Sequence, residues 1–451
     1  MSNDDNDAPP SKGRRFYKLA KMTASVAGNY TSSRMKSLFQ SEEQQRADEA
    51  ATQRKNGEIV AETLGDLKGA AMKIGQMASV ATDVLPDELA EPLEALQKDA
   101  PPMGYEVVAR QIERELGAAP DLLFESFDRK PFASASIGQV HRAVTDDGRN
   151  VVVKVQYPGV DDSVGTDLSQ LKMALRMSGF VDQGRRDSFD QLFDEIEERL
   201  VEELDYTNEA ENVRLFRKLH ADDDWIILPE VVGERSAKRV LTLTEVKGDS
   251  LNEARESYSW ESKDAVGESV FKTFGYQLFR EGIIHADPNP ANFAFRPDGR
   301  IVLYDFGCVK RLSPQKVEAY ARIVKASLEK DRDEVVRWMG ELGALNPDGP
   351  EVPGEVWDLF RHIFIEPILE VEQFDYGTGE IMSRFRDHQQ TFVEYNRSFQ
   401  PPPGGIYVDR TVVGIHNILR KLEAQIPCES WTRTFMELGI SAPTRLADRT
   451  F

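Results

Sequence analysis

The spacing of apolar and polar positions changes period several times along the chain. Residues 105–116 carry apolar side chains at three- and four-residue steps and stop at Gly117, which predicts an amphipathic helix with a glycine closure. The next stretch, 132–155, reads as strand, small-residue loop, strand over 140–145, an Asp146-Asp147-Gly148 turn, and the strand Val151-Val152-Val153-Lys154-Val155. Helical spacing returns over 165–179 and through a long acidic region, 189–219, and strand-like runs follow at 226–232 and 239–246. A helix predicted over 262–281 leads to an apolar run that ends at Asp305-Phe306-Gly307. Beyond Pro314 the spacing is mostly helical (317–330, 333–342, 356–368, 412–424), interrupted by Pro401-Pro402-Pro403-Gly404-Gly405, and there is no internal repeat.

The first hundred residues are patterned differently. Residues 1–13 are polar with Pro and Gly and read as disordered. Residues 16–39 set Phe16, Leu19, Met22 and Val26 among basic and small residues. That fits an amphipathic helix on an anionic membrane surface, a helix packed on its own domain, or a loose tail. A charged connector occupies 42–56. Residues 58–81 are helical in spacing but rich in small residues: Gly65, Gly69, Ala70, Ala71, Gly75 and Ala78. A glycine inside a helix costs about 1 kcal/mol relative to alanine, so three of them imply close approach of another element. Lys73 and Gln76 share one face of this helix. A turn at Leu85-Pro86-Asp87 and a short helix complete the segment.

Composition narrows the class. The 451 residues, 40% apolar and 29% charged, allow two or three domains, or one large two-lobed domain with an accessory region. A net charge of −21 argues against a general nucleic-acid binder, because phosphate would be repelled. The acidity is uneven: residues 1–40 hold seven basic against three acidic side chains, a net of +4, which leaves −25 for the remainder. The two cysteines, Cys308 and Cys428, imply no disulfide framework and are expected to be reduced thiols. With no apolar run of about 18 residues and no basic-then-apolar leader, the expected location is cytoplasmic, extending to peripheral contact with a membrane.

The chemistry concentrates between His285 and Gly307, in HADPNPANFAFRPDGRIVLYDFG. Asp287 can orient a nucleophile or accept its proton, while Asn292 and Asp305 are hard oxygen donors suited to Mg²⁺ on nucleotide phosphates. His-x-Asp or Asp-Phe-Gly alone is common in turns; their order and spacing together point to phosphoryl transfer. Lys154 is an anomaly within its valine run, because a buried ammonium needs a partner. Either it meets a phosphate and a carboxylate from the acidic 189–219 region, or it lies on an edge strand facing water.

Five separated segments resemble the UbiB/AarF/ADCK family of atypical kinases: Lys73-Ile74-Gly75-Gln76, Ala133-Ser134-Ala135-Ser136-Ile137-Gly138-Gln139-Val140-His141, Val153-Lys154-Val155-Gln156-Tyr157-Pro158-Gly159, Glu203-Leu204-Asp205-Tyr206, and the loop from His285 to Asn292. The resemblance implies an α+β, two-lobed protein-kinase-like fold with a helical KxGQ extension and a helical C-terminal lobe. It divides the chain into a basic N-terminal segment (1–57), the KxGQ extension (58–120), an N-lobe with a helical insertion (121–246) and a C-lobe (247–451). It implies ATP/ADP and Mg²⁺ as cofactors, with Lys154 on the α/β-phosphates, Glu209 as its helix partner, Asp287 as the catalytic aspartate, and Asn292 and Asp305 as metal ligands. Ala133, Ser134, Ala135 and Ser136 take the place of a glycine-rich phosphate loop, and Glu245 and Val246 lie at the nucleotide where the lobes join. Lys73 and Gln76 would meet Glu203 and Asp205 over the cleft.

Two features depart from the family pattern. Asn289 and Ala291 stand where His and Gly are common in the catalytic loop, and no Ala-Pro-Glu segment follows Gly307. The function implied is ATP-dependent kinase or ATPase support of isoprenoid-quinone (ubiquinone) biosynthesis, with an anionic membrane, an isoprenoid lipid and quinone-biosynthesis proteins as partners. The alternatives are phosphotransfer to a small molecule or protein, and a nucleotide-binding scaffold of a lipid-synthesising complex.

Overall fold

The computed structural model describes residues 103–135, 137–158, 164–177, 201–400, 402 and 405–446, with scattered positions in 17–59 and 189–197. The expectations for the KxGQ helix fall outside the described residues, as do Phe16 and Leu19 of the basic N-terminus, whereas Met22 and Val26 are helical and buried, as expected of a helix packed on its own domain. The chain forms two compact units: 1–211 with 230–245, and 212–229 with 246–451. The helix Tyr206–Leu219 gives its first residues to one unit and the rest to the other.

In the first unit, β1 (Phe124–Phe127), β3 (Gly138–Thr145), β4 (Asn150–Gln156) and β6 (Val240–Thr244) lie side by side in an antiparallel sheet, and β2 (Ala133–Ala135) pairs with β3. Alternation along β4 decides which face is core. Val151, Val153 and Val155 are fully buried against Val108 and Ile112 of the helix Tyr105–Leu116, with Phe124, Ala143, Val232 and Val240. Each such valine contributes roughly 1.5–3 kcal/mol. The helix ends as its sequence suggests, on Gly117 at φ 81°. Gly138 has a packing reason: a Cβ there would lie 2.3 Å from the Val155 carbonyl oxygen and 3.0 Å from the Tyr206 hydroxyl.

The strand expected over 226–232 is divided. Ile226–Ile227 (β5) pairs in parallel with β9 (Ile301–Leu303) in the second unit, whereas Val231 makes an isolated bridge to Leu243 in the first. Pro229 lies between them and cannot donate to a ladder. The acidic 189–219 region is likewise not one helix: it breaks at Leu204-Asp205, and a new helix starts at Tyr206.

The second unit is helical around a core of Leu278, Phe279, Ile284, Ala286, Val317, Ala321, Tyr407, Val408 and Phe435, among others. The helix expected over 262–281 runs as an α-helix from Trp260 to Gly275 and then widens into one π turn, Tyr276–Glu281. Short strands frame the loops: β7 (Ile283–His285) pairs with β10 (Val309–Arg311), and β8 (Phe293–Phe295) pairs with β9. Ser313 then caps the helix Pro314–Glu329 by accepting a hydrogen bond from the Lys316 N–H. Both cysteines are buried and outside any disulfide, and burial pushes the Cys428 thiol up to about 12. Among the described residues, no helix is long and apolar enough to cross a membrane.

Candidate active site

The first unit presents a cation. β4 is flanked by β3 and β6, so Lys154 is not on an edge strand. Alternation turns it away from the valine core, to the face where Glu209 waits on the helix Tyr206–Leu219. Lys154 Nζ lies 2.8 Å from Glu209 Oε2, with side-chain exposures of 14% and 4%, and 5.0 Å from the centre of the Tyr206 ring. Tyr206 and Glu209 are three residues apart on one helical face. A pair this buried is worth little net stability in itself, yet losing either member takes a buried counter-charge from the other, so both positions are tightly constrained.

Around this pair, Asp205 fixes the helix start: its Oδ1 accepts from the Thr207 N–H at 2.9 Å and from the Thr207 hydroxyl at 2.5 Å. Glu203 offers its backbone carbonyl to the Gln156 side-chain amide at 3.1 Å. Ala133, Ser134 and Ala135 are hairpin residues paired with Val140, Gln139 and Gly138, while Ser136, Lys73 and Gln76 lie outside the described residues. The Glu245 carboxylate pairs with Arg142 at 2.9 Å and its N–H donates to the Asn150 carbonyl.

One buried cluster in this unit went unread in the sequence. Gln139 holds both polar atoms of the Met103 backbone, accepting from its N–H at 2.9 Å and donating to its carbonyl at 3.3 Å. His141 bonds the Asp128 carbonyl through Nδ1 and the Gln139 amide through Nε2. Those partners make Nδ1 the protonated nitrogen. Burial lowers the His141 pKa, favouring the neutral ring.

The second unit presents carboxylates and amides on loops. β7 ends at His285, and Asp287 follows. The turn Pro290–Asn292 brings the Asn292 side-chain amide back onto Asp287, donating to Oδ2 at 3.0 Å and to the backbone carbonyl at 3.2 Å. With its nitrogen so engaged, the Asn292 carbonyl oxygen is the end available to a cation. Asn289 and Ala291, the two departures from the family pattern, serve the turn: the Asn289 side chain accepts from the Ala291 N–H at 3.0 Å. The Asp305 carboxylate accepts from the Gly307 N–H at 2.9 Å, and its backbone carbonyl accepts from His285 Nε2. Asn292 and Asp305 carry hard oxygen donors of the kind that suits Mg²⁺.

Other residues bear on these loops with no local signal in the sequence. Arg410, 123 positions beyond Asp287, places Nη2 3.6 Å from Asp287 Oδ1. Its helix, Ile406–Leu422, comes that near because Gly414 lacks a Cβ, which would sit 2.3 Å from Pro288. Asn212 donates to the Phe306 carbonyl at 2.9 Å, and the Tyr304 hydroxyl donates to the Val246 carbonyl at 2.9 Å. The rings of Phe216, His285 and Phe306 meet edge to face around the Asp305 loop.

An antiparallel sheet with a paired lysine on an inner strand, and a helical unit carrying His-x-Asp, Asn and Asp-Phe-Gly on short loops, define a protein-kinase-like fold. The ABC1 atypical kinase-like domain matches residues 95–339, and the chain belongs to that family. It is 30% identical over 380 residues to the mitochondrial atypical kinase coq-8 of Caenorhabditis elegans, covering 83% of this chain and 50% of that protein. It is 30% identical to mitochondrial atypical kinase COQ8B of Rattus norvegicus, covering 83% and 70%. It is 34% identical to the chloroplastic protein ACTIVITY OF BC1 COMPLEX KINASE 8 of Arabidopsis thaliana, covering 62% and 37%. The chain thus spans about half the length of the curated relatives it matches. Among solved structures, the erythromycin complex of Rv3197 from Mycobacterium tuberculosis is 32% identical with a TM-score of 0.59, covering 82% of this chain and 93% of that one.

Proposed function

We propose that this protein is a Mg²⁺-dependent ATP-binding atypical kinase or ATPase that supports isoprenoid-quinone biosynthesis at a membrane surface. The observation that carries the reading is the buried Lys154–Glu209 pair, which holds an ammonium in place for nucleotide phosphates. In this reading Asp287 orients the attacking oxygen and takes its proton, with Arg410 and Asn292 fixing the carboxylate. Asn292 and Asp305 hold Mg²⁺, which when bound neutralises phosphate charge. The hairpin residues 133–136, with Glu245 and Val246, border the nucleotide, and Lys73, Gln76, Glu203 and Asp205 close over it. The quinone link comes from the family. The basic residues 1–40 support membrane contact, and their deletion should weaken binding to anionic vesicles; unchanged binding removes that element.

Only residues 308–313 separate Gly307 from the helix at Pro314, and half of them form β10 against β7. So short a connection supports hydrolysis or a small-molecule acceptor over a protein acceptor. The test is ADP release by the purified chain, with and without Mg²⁺ and anionic vesicles, beside Asp305→Asn. Turnover that needs Mg²⁺, rises with vesicles and collapses in the variant supports the proposal. A Mg-nucleotide-dependent rise in Tm without turnover moves the reading to a scaffold, and no metal-dependent response of either kind overturns it.

A further inference from the structure

The π turn at Tyr276–Glu281 closes an otherwise ordinary helix, and such turns are frequent at functional positions. Gln277 lies in it, buried, and its two polar atoms face different partners. Oε1 accepts from the His285 backbone N–H at 2.9 Å. Nε2 lies 3.5 Å from His220 Nε2. The register explains the first contact: the next residue, Ala286, donates its N–H to Cys308, so the His285 N–H points away from β10 and has no ladder partner. Through its ring, His285 donates to the Asp305 carbonyl.

The other end of the chain of bonds is fastened too. Asp223 Oδ2 is 2.7 Å from His220 Nδ1, which places the proton on Nδ1 and leaves Nε2 to accept from Gln277. Arg280, three residues beyond Gln277 and within the same π turn, grips Asp223 with both terminal nitrogens, one at 3.0 Å. Burial alone would raise the Asp223 carboxyl, but the bonds from His220 and Arg280 outweigh it and hold it at about 2. The ion pair thereby sets the His220 tautomer, the tautomer sets the Gln277 amide, and the amide sets His285.

We propose that Gln277 is a positioning residue for Asp305, acting through His285 and oriented by His220 and Asp223. The inference rests on reading Asp305 as the metal-holding carboxylate, but it predicts behaviour of the Asp305 loop even without metal. Gln277→Leu and Gln277→Glu in the full chain test it with two measurements: amide hydrogen exchange of the 305–309 segment without ligand, and the Mg²⁺ concentration that gives half of the metal-dependent Tm rise with ADP. Gln277→Leu should speed exchange of that segment at least about fivefold and raise the Mg²⁺ requirement about tenfold, the scale for a residue that supports a metal ligand. Gln277→Glu keeps an acceptor for the His285 N–H and should stay within about threefold of wild type on both. Should Gln277→Leu fail to fold, His220→Phe removes the amide's orienting partner and should change both readouts in the same direction. Wild-type exchange and Mg²⁺ requirement in the folded variant overturn the positioning role. Faster exchange in a protein whose wild type shows no Mg²⁺ response upholds the positioning and overturns the metal reading instead.

Discussion

The two units present their charged side chains by different physical means. In the first, Lys154 is aimed by regular structure: strand alternation sends three valines into the core and turns the lysine to the other face, where one carboxylate receives it. In the second, Asp287, Asn292 and Asp305 sit on loops, and side-chain to backbone bonds hold them: Asn292 to Asp287, His285 to Asp305, Asn212 to Phe306. A strand supplies direction at no extra cost, because its ladder already satisfies the backbone. A loop has no ladder, so each N–H and carbonyl near the carboxylates needs its own partner, drawn here from the loop itself, from β7 and from the helix Tyr206–Leu219.

That contrast can be broken one side at a time. The largest effect is expected from Asp305→Asn, which should cut metal-dependent ADP release about 1,000-fold, several kcal/mol of barrier, with Tm nearly unchanged. A comparable loss of Tm would mean that the loop carboxylate is structural. Next comes Glu209→Gln, which takes a buried carboxylate charge from beside the Lys154 ammonium and should cost about 3 kcal/mol in denaturant unfolding. Lys154→Met combined with Glu209→Leu should recover most of that stability and none of the turnover, separating the pair's structural cost from its chemical use. Gly138→Ala, driven against the Val155 carbonyl, should cost about 2 kcal/mol, and a neutral result would show that the hairpin relaxes.

The smallest and most diagnostic difference is in acid. His141 has a lowered pKa because burial disfavours its charged form, so its contribution to stability is present above the ordinary value of 6.5 and fades as pH falls below it. Asp223 is held at about 2 against an ordinary 3.8, so its contribution, on the order of 2 kcal/mol, is present above about pH 4 and is lost as pH falls toward 2. Exchange-detected stability of the first unit should therefore begin to decline near pH 6.5, and Asp223→Asn should flatten only the decline of the second unit below pH 4. Loss of both in a single transition near pH 4 would show that His141 carries none of it.

Much of this was legible in the residues. Val151 to Val155 reads as a strand with one misplaced cation, Gly117 reads as a helix end, and the spacing of Asp287, Asn292 and Asp305 reads as phosphoryl-transfer chemistry. Each depends on side chains a few positions apart, where alternation, capping and turn preference act. Tertiary structure decided the pairing of Ile226–Ile227 with β9, the π turn, and the approach of Arg410 to Asp287 across 123 positions. These are outcomes of which buried polar groups find partners once distant segments pack, and a window of local sequence holds no record of a partner that only folding brings near.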